Sequence, residues 1–184
     1  KIMLNDTSVG IYSAAYRLTS LWLFIPGLVL QSVMPALVKV KSDINEFFKR
    51  LHRITGLLLW FSIFLALATT FFSDEIIFYT FKSDYAESSN ILIILIWINV
   101  LLFFNSCWNF KLMLINKTKT VFRFHLITAC SNIIFNIFFI PIFGVTGAAY
   151  AIILSLITSI IIFSFFDREI ISLFFKSLSF GIIK

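Results

Sequence analysis

The run 91-ILIILIWINVLLFF-104 contains a single polar residue, Asn99. Similar runs recur throughout the 184 residues, which are 60% hydrophobic and 13% charged and include 24 Phe. A soluble domain is about half apolar and about a quarter charged, so one small core cannot bury this many apolar side chains. The apolar segments reach the ~20 residues that a helix needs to cross a bilayer, and they lack the alternation of a membrane β-strand. The sequence therefore predicts an all-α integral membrane protein.

Five apolar segments predict about five transmembrane helices, which lie at about residues 10–38, 54–72, 91–115, 122–140 and 145–166. Because the bilayer core contains no water, each segment must satisfy its backbone polar groups within its own helix. We expect these helices to form one polytopic bundle over residues 1–169. The tail 170-IISLFFKSLSFGIIK-184 is short for a span. Its Lys176 and Lys184 predict a helix lying at the cytoplasmic interface.

The charges between the spans predict the orientation of the chain. Segments 39–53 and 111–123 are basic, segment 73–90 is acidic and the link 141–144 is uncharged. Basic segments stay in the cytoplasm, so the first two and the C-terminus are predicted inside and the other two outside. The net charge of +6 then reflects topology and attraction to anionic lipid headgroups. It gives no support to a nucleic-acid partner.

This orientation places the first residue outside the membrane. The chain begins with Lys1 and carries no secretory signal pattern. A preceding membrane helix that ends in 1-KIML-4 would deliver the chain to the outer face. The sequence therefore predicts the C-terminal portion of a longer membrane protein.

Polar residues within the first span are candidates for a cavity. Arg17, Ser20 and Gln31 follow one helical face. A charge at the bilayer centre costs about 2.5–3.5 kcal/mol and normally faces a partner or a watery cavity. The alternative for Arg17 is that it extends to the outer headgroups. Pro26 and Pro35 each remove a backbone donor and are expected to bend this helix.

Amides supply the polar groups of the third and fourth spans. Asn99, Asn105 and Asn109 fall within an arc of about 120° on a helical wheel, and they complete the set of cavity candidates. On the fourth span, Asn132 and Asn136 are expected to bond between helices. His125 follows the basic segment directly, and we interpret it as an interfacial histidine rather than a proton carrier.

The fifth span carries small residues in steps of four, namely Gly147, Ala151, Ser155 and Ser159. Such a ridge allows two helices to approach closely, so it predicts packing rather than chemistry. No HExxH, GxSxG, P-loop or GxGxxG motif occurs. Cys107 and Cys130 lie inside apolar runs and form no ligand spacing. We therefore predict no catalytic residue, metal site or cofactor, and a protein that is not an enzyme.

Three runs together resemble the second half of Wzx-type polysaccharide flippases. They are 9-VGIYSAAYRLTSLWLFIPGLVLQSVMPALVK-39, 76-IIFYTFKSDYAESSNIL-92 and 132-NIIFNIFFIPIFGVTGAAYA-151. The resemblance covers nearly the whole chain. It departs from the usual pattern at Phe81 and Lys82, where a glycine is common, so the turn at that point is open.

The resemblance implies a place in the multidrug/oligosaccharidyl-lipid/polysaccharide exporter superfamily, whose members have two six-helix lobes around a central cavity. This chain would form most of the C-terminal lobe, and the N-terminal lobe of the same protein would be its partner. The implied activity is movement of polyprenyl-pyrophosphate-linked oligosaccharide across the bacterial inner membrane by alternating access, for O-antigen or exopolysaccharide. A proton or sodium would be the coupling ion. Arg17 would meet the pyrophosphate or an acidic sugar, and the Asn and Ser side chains would meet sugar hydroxyls.

Three other functions remain open from the sequence. A multidrug or small-molecule exporter of the same superfamily would be expected to place an acid in its cavity for organic cations. A membrane-embedded polysaccharide polymerase would be expected to carry a larger outer segment with Arg and His. A scaffold would leave Arg17 and the polar faces without a role.

Overall fold

The computed structural model describes residues 6–166 and 169–179. These residues form eight α-helices and one 3₁₀ turn: α1 (Asp6–Ser20), α2 (Phe24–Lys39), α3 (Ile44–Phe71), α4 (Ser73–Phe81), the turn (Ser83–Tyr85), α5 (Ser88–Leu114), α6 (Thr118–Phe143), α7 (Val145–Phe166) and α8 (Glu169–Ser179). Five stretches are long and apolar enough to cross a membrane, namely α1 with α2, then α3, α5, α6 and α7. The prediction of an all-α, polytopic membrane protein is confirmed.

A break divides the first predicted span. Helix α1 ends at Ser20 and α2 begins at Phe24, with a turn between them. Pro26 has no N–H for the carbonyl of Trp22, and the N–H of Ile25 takes that carbonyl at 3.2 Å instead. The regular helical step therefore does not run from Arg17 to Gln31, and the single face predicted for them is wrong across this turn. Pro35, by contrast, lies inside α2.

Helix α3 begins before the predicted span 54–72. The side chain of Asp43 accepts hydrogen bonds from the backbone N–H groups of Asn45 and Glu46, at 3.1 and 3.2 Å. This N-cap satisfies donors that otherwise lack a helical partner. Most of the basic segment 39–53 is therefore helical.

Helix α5 is the centre of the bundle, since it contacts α1, α2, α3, α4, α6 and α7. Its side chains Phe103, Phe104 and Trp108 are completely or almost completely buried. Leu51 and Leu59 of α3 form one core with Phe104 and Trp108. Apolar burial contributes about 25 cal/mol per Å², so α5 supplies much of the packing that holds the helices together.

Helix α8 packs on the side of α3. Ser177 is fully buried, and its hydroxyl lies 3.2 Å from Nδ1 of His52. A Cβ added at Gly56 would lie 2.6 Å from the carbonyl oxygen of Ser177, so the glycine permits this approach. The predicted tail 170–184 thus has residues up to Ser179 against the bundle, and 180–184 lie outside the described residues. Its position at the cytoplasmic interface stays a prediction.

Helices α6 and α7 form an antiparallel hairpin. The rings of Phe124 and Phe163 are 5.3 Å apart, and the hydroxyl of Thr128 donates to that of Ser159 at 2.7 Å. A Cβ on Gly147 would collide with the backbone of Phe139. The ridge predicted on the fifth span is confirmed as a packing surface, since its other members are fully or almost fully buried: Ala151, Ser155 and Ser159.

Positive φ angles occur in three turns of the described chain, at Lys82, Asn116 and Gly144. Gly144, between α6 and α7, has φ of 59°, a value that glycine adopts at little cost. Lys82, after α4, has φ of 65°. This is the position where the sequence resemblance led us to expect a glycine, so a lysine there adopts a glycine-like turn.

The predicted orientation can be tested by labelling. Ser42, Thr118 and Ser83 are all exposed, so a cysteine at each position can react. With Cys130 changed to alanine to remove the exposed native thiol, we expect Ser42→Cys and Thr118→Cys to label only from the cytoplasm. Ser83→Cys should label only from outside, because basic segments remain inside. Labelling of Ser42→Cys from outside would reverse the orientation.

Candidate functional site

A cavity of about 400 Å³ lies between α2 and α5. Helix α2 contributes Gln31 and Met34, and α5 contributes Ser106, Asn109 and Met113. Small-molecule sites have volumes of about 300–1,000 Å³ and combine an apolar lining with a few polar groups. The cavity has this composition. Of the six residues that the sequence proposed, it brings together Gln31 and Asn109.

Asn109 joins the cavity to α6. Its Nδ2 lies 3.0 Å from Nε2 of His125, and its Oδ1 is buried without a hydrogen-bond partner in the described chain. A buried polar atom without a partner costs about 1–3 kcal/mol. His125 was not among the proposed cavity residues, and its spacing from Asn109 gave no sign of this contact.

Asn99 is used within the protein itself. It is buried, and its Nδ2 donates to the backbone carbonyl of Thr19 at 2.9 Å. That carbonyl would ordinarily accept from Leu23, whose N–H instead bonds Ser20 at 3.1 Å because of the break between α1 and α2. Asn99 therefore stabilises the break.

Asn105 does not line the cavity between α2 and α5. Its side chain is buried in the bundle. Its Oδ1, like that of Asn109, has no hydrogen-bond partner in the described ranges. Asn105 thus stays a predicted binding residue with an unused acceptor.

Arg17 and Ser20 lie on the last turn of α1, away from the cavity. The Ser20 hydroxyl donates to the carbonyl of Arg17 at 3.0 Å. Arg17 is exposed and forms no ion pair with a described residue. An exposed Arg17 could face a transport cavity shared with another part of the protein, or it could extend to the lipid headgroups. Its role in binding substrate therefore stays a prediction.

The bonds expected between helices at Asn132 and Asn136 are absent from the described structure. Nδ2 of Asn136 donates to the backbone oxygen and to Oδ1 of Asn132, at 2.8 and 2.9 Å. Both bonds lie within α6, so the interhelical prediction is wrong there. Side chains four residues apart are neighbours on a helix, and this contact pairs one group of each amide within α6.

Lys111 was predicted in the cytoplasmic segment 111–123, but it lies in the last turn of α5 and is 1% exposed. Its Nζ is 4.6 Å from the ring centre of Trp108 and 5.2 Å from that of Phe48. A cation over an aromatic face is stabilised by about 2 kcal/mol or more when desolvated. The charge therefore helps to fix α5 against α3.

The fold defines a polytopic helical membrane protein with an amide-lined apolar cavity between two of its helices. The chain is similar to the probable low-salt glycan biosynthesis flippase Agl15 of Haloferax volcanii, with 25% identity over 179 residues that cover 95% of this chain. The chain spans 38% of the length of that relative. No family model matches the chain, and no solved structure matches it. The similarity thus relates the chain to part of a protein described as a probable glycan biosynthesis flippase.

Proposed function

We propose that the chain is most of the C-terminal lobe of a Wzx-type flippase. It would move a polyprenyl-pyrophosphate-linked oligosaccharide across the membrane by alternating access. The observation that carries this proposal is the similarity to a glycan biosynthesis flippase along 95% of the chain. The order of the three sequence runs supports the same placement. Use for O-antigen or exopolysaccharide at a bacterial inner membrane is the finer part of the proposal.

The cavity between α2 and α5 suits part of such a substrate. Sugars present many hydroxyls, each able to donate and to accept. Gln31 and Asn109 line the cavity, and an amide side chain likewise carries both a donor and an acceptor. Met34 and Met113 provide adaptable apolar contact. The proposed site is therefore a subsite for the glycan, with the second lobe closing the remaining side.

A drug exporter of the same superfamily is supported less well. The residues that line the cavity between α2 and α5 include no acid. An organic cation would be held best by an acidic side chain in a low-dielectric site. The described lining therefore favours a neutral, hydroxyl-rich ligand.

The proposal is tested with the full-length protein in a host that lacks its own flippase. We expect wild type to restore surface polysaccharide, and the double variant Gln31→Leu/Asn109→Leu to reduce it about tenfold or more. Two hydrogen bonds of about 1 kcal/mol each account for a loss of that order. The measurement is surface polysaccharide, with accumulation of the lipid-linked precursor as a second readout.

The matched control is Asn132→Leu/Asn136→Leu, which removes two amides that bond each other on α6 outside the cavity. It should retain most of the activity at equal membrane abundance. Wild-type activity of the Gln31/Asn109 variant would contradict the cavity assignment alone. The host for this comparison must make the glycan that the protein transports in its own organism. If the wild-type protein failed to restore surface polysaccharide there, the flippase function would be contradicted.

A further inference from the structure

We propose that the groove at the start of the α6–α7 hairpin binds the phosphate headgroup and an acyl chain of an anionic bilayer phospholipid. The groove has a volume of about 680 Å³. It lies outside the cavity between α2 and α5 and shares no residue with it. The groove combines basic side chains, an apolar wall and the N-terminus of a helix.

The groove is basic at one end. Lys117 directly precedes α6, and Arg123 lies six residues further along, with Thr120 between them on the same wall. Both basic side chains are exposed, and neither forms an ion pair with a residue that the structure describes. The segment 111–123 contains no acid. A phosphate there would meet two charges that no described residue neutralises, one of them a guanidinium that can donate two parallel hydrogen bonds.

The start of α6 adds to this attraction. Its N-cap residue is Lys117, and no side chain caps the first turn. A helix N-terminus carries a partial positive charge and favours anions. A second cavity of about 620 Å³ adjoins the first and shares Arg123 and Leu126 with it, and Lys119 lines its wall. A third basic residue therefore faces the same zone.

The wall beyond the charges is apolar. Leu126 and Ile127 of α6 face Phe163 of α7 across the groove. The hairpin is closed further in, where Thr128 bonds Ser159. The basic end of the groove suits a charged lipid headgroup, and its apolar wall suits a hydrocarbon chain. A soluble phosphate compound would bind at the basic end but would leave the apolar part of the groove empty.

The test is native mass spectrometry of the full-length protein with phosphatidylglycerol and phosphatidylcholine of identical acyl chains. We expect wild type to retain phosphatidylglycerol preferentially. Each hydrogen-bonded contact between a basic side chain and a bound phosphate contributes about a fivefold preference for anionic lipid. The variant Lys117→Gln/Arg123→Gln should therefore reduce the ratio of retained lipids about twenty- to thirtyfold. The control Lys41→Gln/Lys49→Gln removes two exposed charges of the other basic segment and should change the ratio less than about twofold.

Several results would overturn the proposal. Equal losses in both double variants would show diffuse attraction to the membrane surface and no specific site. Displacement of phosphatidylglycerol by inorganic phosphate would show that the acyl chain adds nothing. Displacement by polyprenyl phosphate at a lower concentration than by competing phosphatidylglycerol would assign the groove to a transported carrier lipid. Wild type without a headgroup preference would exclude the site.

Discussion

Replacing Gly147 with leucine is expected to remove most of the folded protein from the membrane. The first side-chain carbon would already collide with the backbone of Phe139, and a backbone cannot move aside as a flexible side chain can. Overpacking of this kind costs about 3 kcal/mol or more. A domain is stable by only about 5–15 kcal/mol. The hairpin therefore either separates or does not form.

Helix α6 has little buried surface of its own within the described chain. Phe124 is the only residue of α6 that is buried within the described chain, and α6 packs chiefly on α7. Loss of the close approach at Gly147 thus removes the main support of α6. We expect a smaller loss from Ala151→Leu or Ser155→Leu, which lie further along the same buried ridge.

Membrane abundance and the thermal midpoint of the purified protein are the measurements. Ile161→Leu is the control, because Ile161 is on the same helix and is 51% exposed. It should behave as wild type. If Gly147→Leu and Ile161→Leu reached equal abundance and melted at the same temperature, the close packing of α6 on α7 would be contradicted.

The features that depend on composition and on the periodic spacing of residues along one helix could be predicted from the sequence. Apolar length gave five membrane-crossing stretches, and the repeat of small residues gave the ridge from Gly147 to Ser159. Both are properties of one helix at a time, and a helix in lipid has few alternatives for its backbone. They therefore need no knowledge of neighbouring helices.

Other features depend on contacts between distant segments. At the break after Ser20, the carbonyl of Thr19 accepts from the N–H of Trp22 and from Asn99, which is 80 positions away in the sequence. Lys111 is buried because Phe48 of α3 covers it. A helical wheel contains neither relation. The face predicted from Arg17 to Gln31 required one continuous helix, and the break between α1 and α2 interrupts it.

The candidate site was predictable only in part for the same reason. Gln31 and Asn109 were chosen as polar residues in apolar spans, and the packing of α2 on α5 placed them in one cavity. The same criterion selected Asn99, whose partner proved to be the backbone. Polarity within a span identifies a residue that needs a partner, but whether that partner is the protein or a ligand is decided by three-dimensional packing.

The second large effect is expected at Arg17. We predict that Arg17→Ala in the full-length protein lowers surface polysaccharide about tenfold or more at normal abundance, and that Arg17→Lys retains part of the activity. Arg17 lies roughly 16 Å along the helix from Asp6 and is exposed on the last turn of α1. Holding a charge at depth costs about 2.5–3.5 kcal/mol. An anionic phosphate in the transport path would compensate for that cost. Lysine preserves the charge but loses the paired hydrogen bonds of the guanidinium.

Two structural roles for Arg17 give different results from the same variants. An arginine that extends to the headgroups only anchors α1, and a cation in the last turn of a helix stabilises it by about 0.3–1 kcal/mol through the helix dipole. In either case Arg17→Ala would lower abundance or melting temperature slightly, and transport per molecule would be unchanged. Arg17→Lys would then match wild type. Polysaccharide per molecule of protein in the membrane therefore separates the roles, and a wild-type value for Arg17→Ala would exclude the phosphate contact without contradicting the proposed flippase function.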